Sequence, residues 1–139
     1  MRHLMALLSL LFSTPLHCPR SGGGGSIPFP VLKRMVASWY GPRFDGKKMA
    51  SGIRFASTLP VIAHKKLPLG TIVRLCRGDA SAVGIVLDRG PWVKGRDLDI
   101  SWGLASKLGL LRAGVGEVTV EVLGVEPRER WSDALVALA

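Results

Sequence analysis

Acidic residues are scarce in this chain. Asp and Glu number 10 against 19 Lys and Arg in 139 residues, a net charge of +9. A surplus of that size calls for a polyanionic neighbour: nucleic acid, an anionic membrane surface or an acidic cell-wall polymer. Nucleic acid is set aside because no recognition helix, zinc finger or RNP-type aromatic pattern is present. Metal chemistry lacks a basis too, since the three His are scattered and no paired Cys/His spacing occurs among two Cys. The glycine run Gly22 to Gly25 lacks the lysine and the strand-helix setting of a phosphate loop, so no nucleotide or other cofactor is expected. Aromatics are few, at 6%, whereas Gly (17) and Pro (9) are plentiful. That balance suits short strands joined by turns, and the length suits one modest core. There are no internal repeats.

Long apolar runs are also missing. The longest opens the chain, where Arg2 and His3 precede Leu4 to Phe12, a basic start and a short apolar stretch ended by Ser13, Thr14 and Pro15. It has the length of a signal-peptide core and is too short to span a bilayer. We read residues 1–18 as a leader directing export to the periplasm or cell envelope, 19–34 as a flexible linker, 35–124 as the folded domain and 125–139 as a tail that forms an amphipathic helix around Trp131, Leu135 and Leu138. Cys18 offers a point of lipid attachment to a membrane, but Leu16 and His17 before it are larger than a lipobox prefers. A chain cut after Cys18 leaves Cys76 without a disulfide partner.

Strands are predicted at 35–40, 60–64 and 71–76, then a hairpin through Arg77-Gly78-Asp79 into Val83-Gly84-Ile85-Val86-Leu87-Asp88. A helix opens at Ser101 as N-cap, places Leu104 and Leu108 on one face and stops at Gly109. The last strand, 117–122, alternates Val118, Val120 and Val122 inward against Glu117, Thr119 and Glu121. Five or six short strands with one small helix close most economically into a barrel, which hides their edges.

Asp88 is the centre of interest. It ends an apolar strand and enters the turn Arg89-Gly90-Pro91-Trp92, where a side chain can face a cleft. A turn-capping role through neighbouring amides is equally consistent with this stretch alone. The loop from Gly41 to Gly52, with Asp45-Gly46-Lys47-Lys48 and Ala50-Ser51-Gly52, is long enough to carry function.

Taken together, Ala37-Ser38-Trp39-Tyr40-Gly41, Ala50-Ser51-Gly52, Ala63-His64, Leu67-Pro68-Leu69-Gly70-Thr71, Asp88-Arg89-Gly90-Pro91, Gly95-Arg96 and Asp99-Ile100-Ser101 resemble the RlpA-like double-psi β-barrel proteins from Val36 to Val122. Expansins and MltA-type transglycosylases share that barrel and its aspartate. The resemblance implies a mainly all-β fold, a six-stranded double-psi β-barrel with one or two short helices. It also implies an exported lytic transglycosylase that cleaves β-1,4 MurNAc-GlcNAc bonds of peptidoglycan, prefers glycan strands without stem peptides and leaves 1,6-anhydro-MurNAc. In that reaction the sugar's own 6-hydroxyl closes onto the anomeric carbon, so one carboxyl, Asp88, serves as acid and then base. An acid working near neutral pH wants a partly desolvated cleft, and Arg89 opposes it unless aimed elsewhere.

One position departs from the pattern. The glutamate that usually follows Ala-Ser-Gly is Ile53 here, which favours a second reading, a barrel that binds or loosens the wall without cutting it. The remaining candidates are substrate-binding: Tyr40 and Trp92 as stacking surfaces, His64, Arg89 and Asp99. Each has a plainer role available. Trp92 can pack on the barrel wall, His64 can be structural, and Asp99 sits before a helix N-terminus, where a carboxylate is favoured anyway. Lys47, Lys48, Lys65 and Lys66 read as solvated loop charges.

Overall fold

Six strands close on themselves in the order β1-β5-β2-β4-β3-β6 in a computed structural model that describes residues 33–139. They are β1 (Lys33–Tyr40), β2 (Val61–His64), β3 (Thr71–Arg77), β4 (Ala80–Asp88), β5 (Leu98–Ser101) and β6 (Val115–Val125). Two neighbouring pairs, β1 with β5 and β2 with β4, run parallel, and the other four are antiparallel. Such mixed pairing around a closed ring is that of a double-psi barrel. The leader, most of the linker and Cys18 lie outside the described residues. Cys76, in β3, is disulfide-bonded and not a free thiol.

Sequence patterning accounts for most of these elements. Arg77-Gly78-Asp79 turns β3 into β4, with Gly78 at φ +58°. Helix α1 (Trp102–Lys107) follows β5 directly; the Ser101 hydroxyl accepts from the Leu104 amide, and Gly109 stops the helix at φ +64°. Helix α2 (Trp131–Leu138) buries Trp131 and Leu135 on the barrel, and the Trp131 indole donates to the Glu126 carbonyl at 2.9 Å. Among the described residues no helix is long and apolar enough to cross a membrane.

Two differences from the sequence reading have physical causes. Residues 98–101 form a strand, so Asp99 lies inside the sheet as well as two residues ahead of the helix N-cap, Ser101. In β6 the inward alternation breaks after Val120: Glu121 is buried and Val122 is 43% exposed. Arg74 on β3 accounts for the first, meeting Glu121 at 3.2 Å with both side chains largely enclosed. A register shift where Val73 and Ile72 meet Val122 and Gly124 lies beside the second.

The interior holds two apolar clusters. One contains Leu75, Ile100, Leu104 and Val118; the other contains Ile85, Leu87, Phe55 and Trp131. Between them β4 passes Gly84, where a Cβ would come within 3.0 Å of Leu104, Ile62 and Pro60. A larger residue there would have to push aside the ends of the Leu104 and Ile62 side chains.

Candidate active site

Strand register builds the site. Ala63 on β2 pairs with Asp99 of β5 on one side and with Asp88 of β4 on the other, and Asp99 pairs in turn with Ser38 of β1. Ser38, Asp99, Ala63 and Asp88 therefore form a row across four adjacent strands. The two acids stand two strand spacings apart, roughly 10 Å between their backbones. The small side chain of Ala63 leaves the space between them open. Ala63, Asp88 and Asp99 all line a recess of about 230 Å³, together with Tyr40, Phe44 and Lys48. A larger cleft of about 610 Å³ adjoins it, sharing Tyr40, Phe44, Arg89 and Asp99 and adding Trp39, Arg43, Trp92 and Arg96.

Asp88 is held through one oxygen. Its Oδ1 accepts from the backbone amides of Ala50 (3.0 Å) and Arg89 (2.9 Å). The first donor belongs to Ala50-Ser51-Gly52, a tight turn with Gly52 at φ +88°, docked on β4 by a bond from the Ser51 amide to the Leu87 carbonyl. Oδ2 takes no donor from the described residues. Turn capping through Oδ1 and a place in the wall of the smaller recess thus coexist at Asp88. Asp99 accepts from the Ser38 hydroxyl through Oδ1.

Arg89 is aimed away from Asp88. Its guanidinium donates through Nη1 to the carbonyls of His64 (3.1 Å) and Leu67 (2.5 Å), which ties the end of β4 to the loop after β2. His64 belongs to the same tie: its Nδ1 accepts from the Lys66 and Leu67 amides at 3.0 and 2.9 Å, and it is not among the residues lining either recess. Burial is the main cause that lowers its pKa from the usual 6.5, opposed by Asp97 and reinforced by Arg89, Lys33 and Lys65. The sign follows from the acceptor role, because a proton on Nδ1 would break both amide bonds. The neutral ring's contribution to stability is present above pH 6.5 and is lost as pH falls toward the lowered folded value. We expect thermal melts of the parent to decline as pH drops below 6.5, and the decline in that window to shrink in His64→Asn; equal slopes would remove His64 from the account.

The aromatic candidates divide. Trp92 is 76% exposed at the cleft, beyond the cis Gly90-Pro91 peptide, and does not pack on the wall. Tyr40 stacks its ring on Phe55, centroids 4.3 Å apart, and meets Phe44 edge-on, so the face turned to Phe55 is taken. Burial, with the charges of Asp88 and then Asp99, pushes its phenol far above the usual value and keeps it protonated. Ile53 packs against the second apolar cluster and lines neither recess.

Sequence reasoning missed Ser38 as the partner of Asp99, and Arg43, Phe44 and Arg96 as cleft residues. Phe44 carries the Arg43 guanidinium and the Lys47 ammonium, each 4.9 Å from its ring centre. The available signal was the loop itself, in which an aromatic stands among cations.

The lytic transglycolase family model matches residues 33–120. The chain belongs to the lytic transglycolase family. Among its relatives, a probable endolytic peptidoglycan transglycosylase RlpA of Aquifex aeolicus is 40% identical over 124 residues, 88% of this chain and 55% of that protein. An endolytic peptidoglycan transglycosylase RlpA of Pasteurella multocida is 39% identical over 73% of this chain and 35% of that one. This lytic transglycolase domain therefore spans about half or less of the length of those relatives. Among solved structures, an expansin of Clavibacter michiganensis superposes with a TM-score of 0.56 at 16% identity, over 70% of this chain and 52% of that one, which shows a shared fold.

Proposed function

We propose that this chain is a peptidoglycan lytic transglycosylase that cleaves the β-1,4 bond between MurNAc and GlcNAc with Asp88 as its single acid and base. The observation that carries the reading is Asp88 in the wall of the smaller recess, beside the larger cleft, with Oδ1 fixed by two amides, no donor to Oδ2 from the described residues and Arg89 turned away. Asp88 gives its proton to the glycosidic oxygen as the bond to the anomeric carbon breaks. The 6-hydroxyl oxygen of the same MurNAc bonds to that carbon, and its proton passes to Asp88, which regains its starting form. No water is consumed, so a second carboxylate to activate one is unnecessary and Ile53 is tolerated. A leader over residues 1–18 exports the chain to the envelope, where its substrate lies.

Charge supports a preference for strands stripped of their stem peptides. Removing the peptide frees the lactyl carboxylate of each MurNAc, and the larger cleft presents Arg43 and Arg96 beside Trp92, with no carboxylate among the described residues bonded to either guanidinium. The double variant Arg43→Ala/Arg96→Ala is expected to raise KM for stripped strands about 5-fold with kcat little changed, as partly exposed charge pairs allow. The difference should vanish in 1 M salt, where screening acts within about 3 Å. Steady-state release of anhydro-ended fragments from stripped and peptide-bearing strands checks both points; equal rates on the two would remove the preference.

Ile53 favours a second reading, a barrel that holds glycan without cutting it. Retention of strands with no anhydro ends released would establish that one.

A further inference from the structure

Buried polar side-chain atoms are almost always hydrogen-bonded, so exceptions need a reason. Among the described residues two such atoms lack a partner, Trp39 Nε1 and Tyr40 Oη. They are consecutive in the chain, and both residues line the larger cleft beside Asp99. Both atoms are donors: an indole N–H can only donate, and the Tyr40 phenol keeps its proton. The nearby acids do not take them: neither atom bonds to Asp88 or Asp99, whose Oδ1 oxygens accept from Ala50 and Arg89 and from Ser38.

The surroundings keep the pair in place. Tyr40 is fixed by Phe55 against its face and Phe44 against its edge. Trp39 packs on the barrel's first apolar cluster, and Gly41 gives it room, because a Cβ there would stand 3.1 Å from the indole. Their positions are thus set before any ligand arrives, while their hydrogen-bonding capacity is unused. We propose that Trp39 Nε1 and Tyr40 Oη form a donor pair that binds uncharged oxygen acceptors of a saccharide, hydroxyl or acetamido carbonyl, and so positions the strand over Asp88. This rests on the reading that the cleft holds glycan, and it assigns Tyr40 through its hydroxyl in place of its ring face.

A donor left unpaired in the free chain gives a distinctive signature. Tyr40→Phe keeps the ring and removes only an unsatisfied buried hydroxyl, which costs the free protein nothing. The experiment measures affinity for stripped glycan strands in an Asp88→Asn background, which prevents turnover, for Tyr40→Phe and Trp39→Phe, with a thermal melt of each. The expected result for Tyr40→Phe is binding roughly 5-fold weaker, the size of one neutral hydrogen bond, at both low and high salt, with Tm equal to or above that of the background protein. Trp39→Phe is expected to weaken binding similarly. Binding by Tyr40→Phe within 2-fold of the background, a loss that disappears at high salt, or a loss accompanied by a lowered Tm would overturn the proposal, as would absence of binding by the background protein. Turnover by the parent chain, followed separately, decides the transglycosylase reading: a parent that binds without cutting would sink that reading and leave the donor pair standing.

Discussion

Asp88→Asn is expected to lower release of anhydro-ended glycan by at least about 100-fold, the usual scale of a lost general acid and base, while strand binding and folding persist. Asparagine is nearly the same shape, and its side-chain oxygen can still accept from the Ala50 and Arg89 amides that hold Asp88. What it cannot do is deliver a proton through the other arm and take one back. Because no second carboxylate activates a water, nothing in the cleft is placed to assume both roles. Asp99 stands in the same row, but two strands away, roughly 10 Å from Asp88 between backbones, and its Oδ1 is engaged by the Ser38 hydroxyl. Quantifying fragment ends by mass spectrometry, with circular dichroism as a check on folding, tests this. An Asp88→Asn protein within a few-fold of the parent would move the chemistry to another residue.

The largest effect on stability is expected at Ile85. It is fully buried in β4, paired in register with Val61 on β2 and Ile72 on β3, and belongs to the cluster that holds Leu87 and Trp131. Ile85→Ala removes three buried carbons from a position enclosed by neighbouring strands, which leaves little scope for collapse. A cost of about 2–5 kcal/mol follows, a large share of the 5–15 kcal/mol typical of a domain, and Tm should fall by about 10–25 °C. Val122→Ala, at a position 43% exposed, should stay within about 0.5 kcal/mol. Thermal melts of the two side by side measure the contrast; similar Tm values would contradict the burial of β4.

Local chemistry made much of this barrel legible in the sequence. The hairpin through Gly78, the helix start at Ser101, the stop at Gly109 and the helix around Trp131 all announce themselves through turn and cap residues acting over a few positions. Asp88 was legible for the same reason, as an acid at the end of an apolar strand. Strand β5 was not, because four residues, Leu98 to Ser101, are too short for their alternation to stand out beside a helix start. The burial of Glu121 depends on Arg74, 47 residues away, and no local pattern carries that.

The site's central feature was hidden for a deeper reason. Ser38, Asp99, Ala63 and Asp88 form one row because β1 pairs with β5 and β2 with β4 in parallel, so residues distant in the chain share a level of the sheet. Periodicity tells which face a side chain takes, and it does not tell which strands are neighbours. Likewise, Arg89 beside Asp88 reads as an electrostatic partner in sequence. Its long side chain instead reaches the carbonyls of His64 and Leu67, so it holds the loop after β2 together with the His64 ring and makes no ion pair with the acid.

The central claim is that one carboxylate in this cleft cuts glycan by intramolecular closure. Incubating the full chain with glycan strands stripped of stem peptides and reading the new ends by mass spectrometry tests it most directly. Strand ends closed as 1,6-anhydro-MurNAc, accumulating with time, are the expected result. Intact strands retained on the protein, or new ends that are ordinary reducing sugars formed with water, would contradict it.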